Sequence, residues 1–146
     1  MYTSILLPID LEATDFSAPA IRQALELIEP YKGCLHLMAV IPGFNSPLVA
    51  SYFDQKAVNR AHQSVDQHLR DYAASVIPEG IKYELSVHQG QIAERIVFQA
   101  ERSSTQLIIM AAHHRGTIES VLLGSNTARV VEKSHCSVMV LREPLS

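Results

Sequence analysis

The chain has 146 residues, 47% of them hydrophobic and 18% charged, and a formal net charge of −3. This is the makeup of one globular unit able to bury a sizeable core. The slight acidity and the scattered Lys and Arg argue against nucleic acid as a main partner, which calls for a basic face. The opening MYTSILLPID lacks a basic n-region and does not read as a signal peptide. No apolar run approaches the ~20 residues needed to span a bilayer, so neither membrane insertion nor export is expected, and a cytoplasmic location is.

In chain order, Ser4 to Ile9 is a short Ile/Leu run that fits a buried strand, ended by Asp10. Thr14 to Ser17 offer helix caps, and Ala20, Ala24, Leu27 and Ile28 then recur at helical spacing until Pro30 and Gly33. Cys34 to Ile41 reads as a second buried strand closed by Pro42-Gly43. After a loop over Phe44 to Asp54, the positions Ala57, Ala61, Val65, Leu69, Tyr72 and Val76 mark a long amphipathic helix from Gln55 to Val76. Ile81 to Val87 alternates apolar with polar, which suits a strand near a sheet edge, and Gly90 is expected to turn. Ile92, Ile96, Val97 and Ala100 form another helical stripe. Gln106 to Ala112 is the most apolar run, Ser120 to Ser134 reads as helical, and Ser137 to Leu141 as a last strand.

The order βαβαβαβαβ with near-continuous apolar strands predicts a parallel sheet with helices on both faces. Right-handed crossovers then favour a doubly wound α/β fold in a single domain over residues 1–146.

In such sheets ligands bind beyond the carboxyl ends of the strands, where strand order reverses. If the first and fourth strands are neighbours there, Asp10 and the loop after Met110 share one crevice. Gly124-Ser125-Asn126-Thr127 admits two readings. A helix restarting at Ser125 would offer free N–H groups and a positive dipole end to a phosphate. Alternatively, Gly124 closes a turn and Ser125 is an ordinary N-cap. Neither GxxxxGK[ST] nor GxGxxG occurs. The adjacent pair His113-His114 is a poor metal site, having no His, Cys or Asp partner at ligand spacing. The other histidines, His36 and His88 among them, read as dispersed, and Cys34 and Cys136 as reduced core thiols.

Four stretches carry a resemblance: ILLPID at the start, LHLMAVIPG, HQGQIAERIVFQA, and LIIMAAHHRGTIESVLLGSNTARVVEKSHCSVMVL at the end. Through these the chain resembles, essentially end to end, the single-domain short-chain branch of the universal stress protein family. That resemblance implies a five-stranded Rossmann-like parallel sheet, a homodimer, and binding of ATP or AMP, with Mg2+ as an accompanying ion that Asp10 would contact through the nucleotide. Pro8, Ile9 and Asp10 would line the ribose side, the backbone around Val40 would read the adenine edge, and Met110 would pack beneath. Gly124, Ser125, Asn126 and Thr127 would hold the phosphates.

The family's nucleotide-binding pattern, Gly-x2-Gly-x9-Gly-Ser/Thr, is met here by Ala111 and His114 at the first two glycine positions and by Gly124-Ser125 at the last. If the loop is rearranged so that Gly116 takes the sharp turn, His114 or His113 would contact phosphate as a cation. The last strand, Val138, Met139, Val140 and Leu141, is expected at an edge, where it would pair antiparallel with a second copy. Three functions remain open. The chain is a regulatory nucleotide-binding homodimer acting on a protein partner, a nucleotide-independent interaction module with a degenerate crevice, or a small hydrolase. The last is disfavoured because no nucleophile–base pair or second carboxylate accompanies Asp10, leaving at most slow incidental ATP hydrolysis.

Overall fold

The computed structural model describes residues 2–43, 54–112 and 124–142. Within them, strands and helices alternate: β1 (Ser4–Pro8), α1 (Ala18–Ile28), β2 (Cys34–Pro42), α2 (Gln55–Val76), β3 (Lys82–Gly90), α3 (Ile92–Arg102), β4 (Leu107–Ala112), α4 (Ser125–Lys133) and β5 (Ser137–Arg142). Short 3-10 turns at Thr14–Ser17 and Glu29–Tyr31 flank α1.

The five strands form one parallel sheet in the order β3-β2-β1-β4-β5. The chain winds outward from β1 to β3, then returns to place β4 on the other side of β1. The reversal point therefore lies between β1 and β4, as the doubly wound reading required.

Alternate strand residues face opposite sides, and both sides are covered. Ile5, Leu7, Leu35, Leu37, Leu107 and Ile109 pack against Ala20, Ile21, Ala24 and Ile28 of α1 and Leu69 and Ala73 of α2. Leu6, Met38, Ile108 and Met110 pack against Ala93, Ile96 and Ala100 of α3 and Val130 of α4. Burial on two faces is why these strands read as unbroken apolar runs. Each fully buried Leu or Ile contributes about 1.5–3 kcal/mol.

One backbone detail shapes the reversal point. Successive residues of a strand direct their N–H and C=O groups alternately to the two neighbours. The Ile9 N–H donates to the Met38 carbonyl at 2.8 Å, while the Gln106 N–H donates to the Ser4 carbonyl at 3.0 Å. Odd positions of β1 thus bond β2, and even positions bond β4. Pro8 is an even position and has no N–H. The ladder to β4 accordingly consists of Ile5↔Leu107 and Leu6↔Ile108, whereas that to β2 continues to Pro8↔Met38. The sheet parts at its carboxyl end because a proline stands where the next bond would form.

Three local expectations are corrected. β3 continues through Gly90, which pairs with Pro42 at φ 141° and so bends while still in the ladder. The helix after β4 begins at Ser125 behind an extended Gly124 (φ −56°, ψ 154°), so Gly124 is the N-cap and Ser125 the first helical residue. Residues 120–123 lie outside the described residues. In α2 only Leu69 and Ala73 are buried, and Ala57 and Ala61 are exposed. Alanine carries the helical period there without a described element packed over it.

β5 is an edge strand: β4 pairs with it from Leu107↔Ser137 to Ala112↔Arg142, and among the described residues its other side is unpaired. Val138, Met139, Val140 and Leu141 are all half-buried. β3 is the opposite edge.

Candidate functional site

The carboxyl end of the sheet gathers most of the residues singled out from sequence. Asp10 follows β1, is exposed, and folds the chain back on itself: its Oδ1 accepts from the Glu12 N–H at 3.0 Å and its carbonyl from the Ala13 N–H at 3.1 Å. This is an Asx turn, and it occupies one carboxylate oxygen while leaving the other toward solvent. Ile9 is buried with its side chain in the α1/α2 core, so only its backbone is left to border the opening. Pro8 is half-buried beside the parted ladder.

On the other side of the reversal, Met110 is 8% exposed and belongs to the α3/α4 core. Ala111 is half-buried, pairs with Leu141, and has a negative φ. An alanine is therefore unstrained at this glycine position of the family pattern. Val40 is half-buried in β2, where it pairs with His88. His113 and His114 lie outside the described residues.

α4 starts at this same end. Its first turn holds Ser125, Asn126 and Thr127, with Thr127 buried, and among the described residues no side chain caps the N-terminus. The first intrahelical bond is Ala128 N–H to the Gly124 carbonyl at 2.9 Å. The amides ahead of it point outward with the positive end of the helix dipole, the arrangement that binds anions. A Cβ added to Gly124 would meet no described atom within 4 Å.

Sequence reasoning missed what holds α4 in place. Gln91 is the N-cap of α3, its Oε1 accepting from the Glu94 N–H at 2.8 Å, and its Nε2 donates to the Asn126 Oδ1 at 3.4 Å. One glutamine thus joins the N-termini of α3 and α4, setting two positive helix ends side by side at the sheet's carboxyl edge. The available signal was Gln91 directly before the helical stripe with Glu94 three residues on, a variant of the capping pattern. Behind it, Gly43 approaches Gly90 so closely that a Cβ would lie 2.9 Å from the Gly90 Cα, and the Gly43 N–H donates to the Gly90 carbonyl at 3.1 Å. That contact locks the ends of β2 and β3 together next to Gln91.

Among the described residues no group of three His, Cys, Asp or Glu side chains is placed to hold a metal ion, and no helix is long and apolar enough to cross a membrane.

Comparison with known proteins adds to this geometry. A model of the universal stress protein family matches residues 1–142. The chain is 25% identical over 148 aligned positions to the universal stress protein MJ0531 of Methanocaldococcus jannaschii, covering 99% of this chain and 84% of that protein. The solved structure of MJ0577 from the same organism superimposes with a TM-score of 0.78 at 24% identity, covering 100% of this chain and 99% of that one. The structure of a universal stress protein in complex with cAMP superimposes with a TM-score of 0.61 at 17% identity, covering 98% of each chain.

Proposed function

Because the chain belongs to the universal stress protein family, we propose that it binds an adenine nucleotide, ATP or AMP, where β1 and β4 part, and that this site serves regulatory binding and not catalysis. The observation that carries this reading is the N-terminus of α4, without a side-chain cap among the described residues, at the same end of the sheet as the point where the β1–β4 ladder stops. The cAMP complex of a relative with the same fold supports a nucleotide as occupant.

In this reading the amides of Ser125, Asn126 and Thr127 hold phosphate, with the Ser125 hydroxyl as a further donor. The free carboxylate oxygen of Asp10 receives a ribose hydroxyl or a Mg2+ carried by the nucleotide. Met110 and the backbone of Val40 border the base. The residues present fit a nucleoside phosphate in kind: backbone donors for the anion, a carboxylate for hydroxyl or ion, apolar side chains for the base. The location is the cytoplasm, the domain is residues 1–146, and the assembly is a homodimer through the free side of β5, where Val138 to Leu141 would pair with a second copy.

Calorimetric titration of the purified chain with ATP and AMP, with and without Mg2+, tests the reading, and saturable 1:1 binding is the expected result. No heat at millimolar nucleotide would transfer support to the second reading, a nucleotide-independent dimeric interaction module, which His114 at a family glycine position favours. Sedimentation of wild type and Val140→Asp tests the assembly, with a dimer expected only for the wild type.

A further inference from the structure

The opposite edge of the sheet carries a second constellation, independent of the nucleotide reading. On the side covered by α3, the edge strand β3 is incompletely roofed. A polar recess opens there, lined by His36, Glu84, Ser86, His88, Gln99 and Arg102. His36 comes from β2 and is 8% exposed. It sits beside Met38, on a face otherwise filled by apolar side chains. A histidine placed in such a position costs stability unless both ring nitrogens are satisfied.

Only one of them is. The His36 Nε2 lies 2.7 Å from the Ser86 Oγ, whereas its Nδ1 is buried without a hydrogen-bond partner among the described residues. The nearest charge to that Nδ1 is the Glu84 Oε2, at 3.7 Å. The strand register explains the set. Glu84 is directly opposite His36, and Ser86 is one position further along the same face of β3. One imidazole therefore has a carboxylate 3.7 Å from one nitrogen, within reach of a small side-chain rotation, and a hydroxyl at hydrogen-bond distance from the other.

Protons complete the picture. Ser86 has one hydroxyl proton, and two imidazoles approach its oxygen, the second being the His88 Nε2 at 3.0 Å. With its single proton and two lone pairs, that hydroxyl can donate to one ring and accept from the other. The Glu84 carboxylate favours the proton on the His36 Nδ1, which leaves the His36 Nε2 lone pair to accept from the Ser86 O–H. His88 then donates its Nε2–H to the same oxygen. Carboxylate, imidazole and hydroxyl in this order form the arrangement that activates a serine. Burial holds His36 below the usual histidine range, Glu84 pulling against it, so the ring is a free base at neutral pH.

We propose that Ser86 is a nucleophile that takes an acyl group from a small activated ester, with His36 as base and Glu84 as its positioning residue. The Ser86 Oγ forms a bond to the acyl carbon while its proton passes to the His36 Nε2. The bond from that carbon to the leaving oxygen then breaks, and the proton goes from His36 to the departing alcohol or phenol. No oxidant or metal is needed. Arg102, at the end of α3, lines the same recess and brings a positive charge for the acyl oxygen that turns negative as the bond to Ser86 forms. The charged and titratable groups facing the pair are Glu84 and His88 from β3 and Arg95 and Arg102 from α3, and His62 of α2 also acts on His88.

The test uses the intact chain with p-nitrophenyl acetate and with a fluorophosphonate, and locates the adduct by peptide mass mapping. One equivalent is expected on Ser86, absent in Ser86→Ala, and slowed roughly a hundredfold in His36→Gln. Glu84→Gln is the guarding variant, because the Glu84 side chain is 72% exposed and its replacement leaves the fold intact. It should slow labelling severalfold and move the inflection of the rate–pH profile to lower pH. Adducts spread over lysines with none on Ser86 overturn the proposal, as does Glu84→Gln with unchanged rate and profile.

Discussion

Gly124→Val separates the needs of the fold from those of a ligand. Gly124 has φ −56° and ψ 154°, a conformation valine adopts freely, and its Cβ would meet no described atom within 4 Å. The fold therefore loses only the preference for glycine over valine at an N-cap, at most about 1 kcal/mol. At this chain length that lowers Tm by about 2–4 °C. A phosphate resting on the first amides of α4 meets the new isopropyl group instead. One charge-assisted bond lost is worth about 1.5–3 kcal/mol, which raises Kd roughly ten- to a hundredfold. Calorimetry with ATP and AMP, beside a thermal scan of both proteins, reads the two effects separately. An unchanged Kd with an unchanged Tm would refute the placement of phosphate at α4. A collapse of Tm would refute the claim that the space beside Gly124 is free.

Gly33→Ala should cost about 1–3 kcal/mol, since the new Cβ would lie 2.4 Å from the Thr3 carbonyl oxygen and 2.6 Å from its Cα, both backbone atoms leading into β1. A urea midpoint equal to wild type would contradict that close approach. Gln91→Ala removes the cap of α3 and the tie to Asn126 together. A loss of about 1 kcal/mol is expected, read as a Tm lower by about 2–4 °C. Burial depresses both His36 and His88 below the ordinary histidine value of 6.5. The unfolded chain therefore takes up protons first, so stability is fully present above pH 6.5 and declines as pH falls toward the folded values. Urea midpoints between pH 8 and pH 5 should fall less steeply for His36→Gln than for wild type, and identical slopes would exclude the buried ring as a cause.

Much of the architecture is legible in the sequence because β1, β2 and β4 are buried on two faces and so appear as uninterrupted Ile, Leu, Val and Met runs. The alternation in β3 likewise reported its edge position. The first half of α2 was overread, since Ala57 and Ala61 keep helical spacing yet face solvent. At the candidate site, Asp10, Met110 and the start of α4 can be foreseen from the rule that ligands sit at the strand-order reversal. The Gln91–Asn126 bond joins residues 35 apart. No local pattern records such a pair. The same holds for His36 and Ser86, which are 50 apart and meet only through the register of β2 and β3. Histidines that looked dispersed in the linear chain are neighbours in the sheet.

The proline in β1 has a wider consequence. With two linked positions between β1 and β4, the halves β3-β2-β1 and β4-β5 are stitched at one hem only and gape at the other. β5 belongs to the same leaf as β4, so the mouth and the free rim of the sheet are bordered by one pair of strands in register from Leu107↔Ser137 to Ala112↔Arg142.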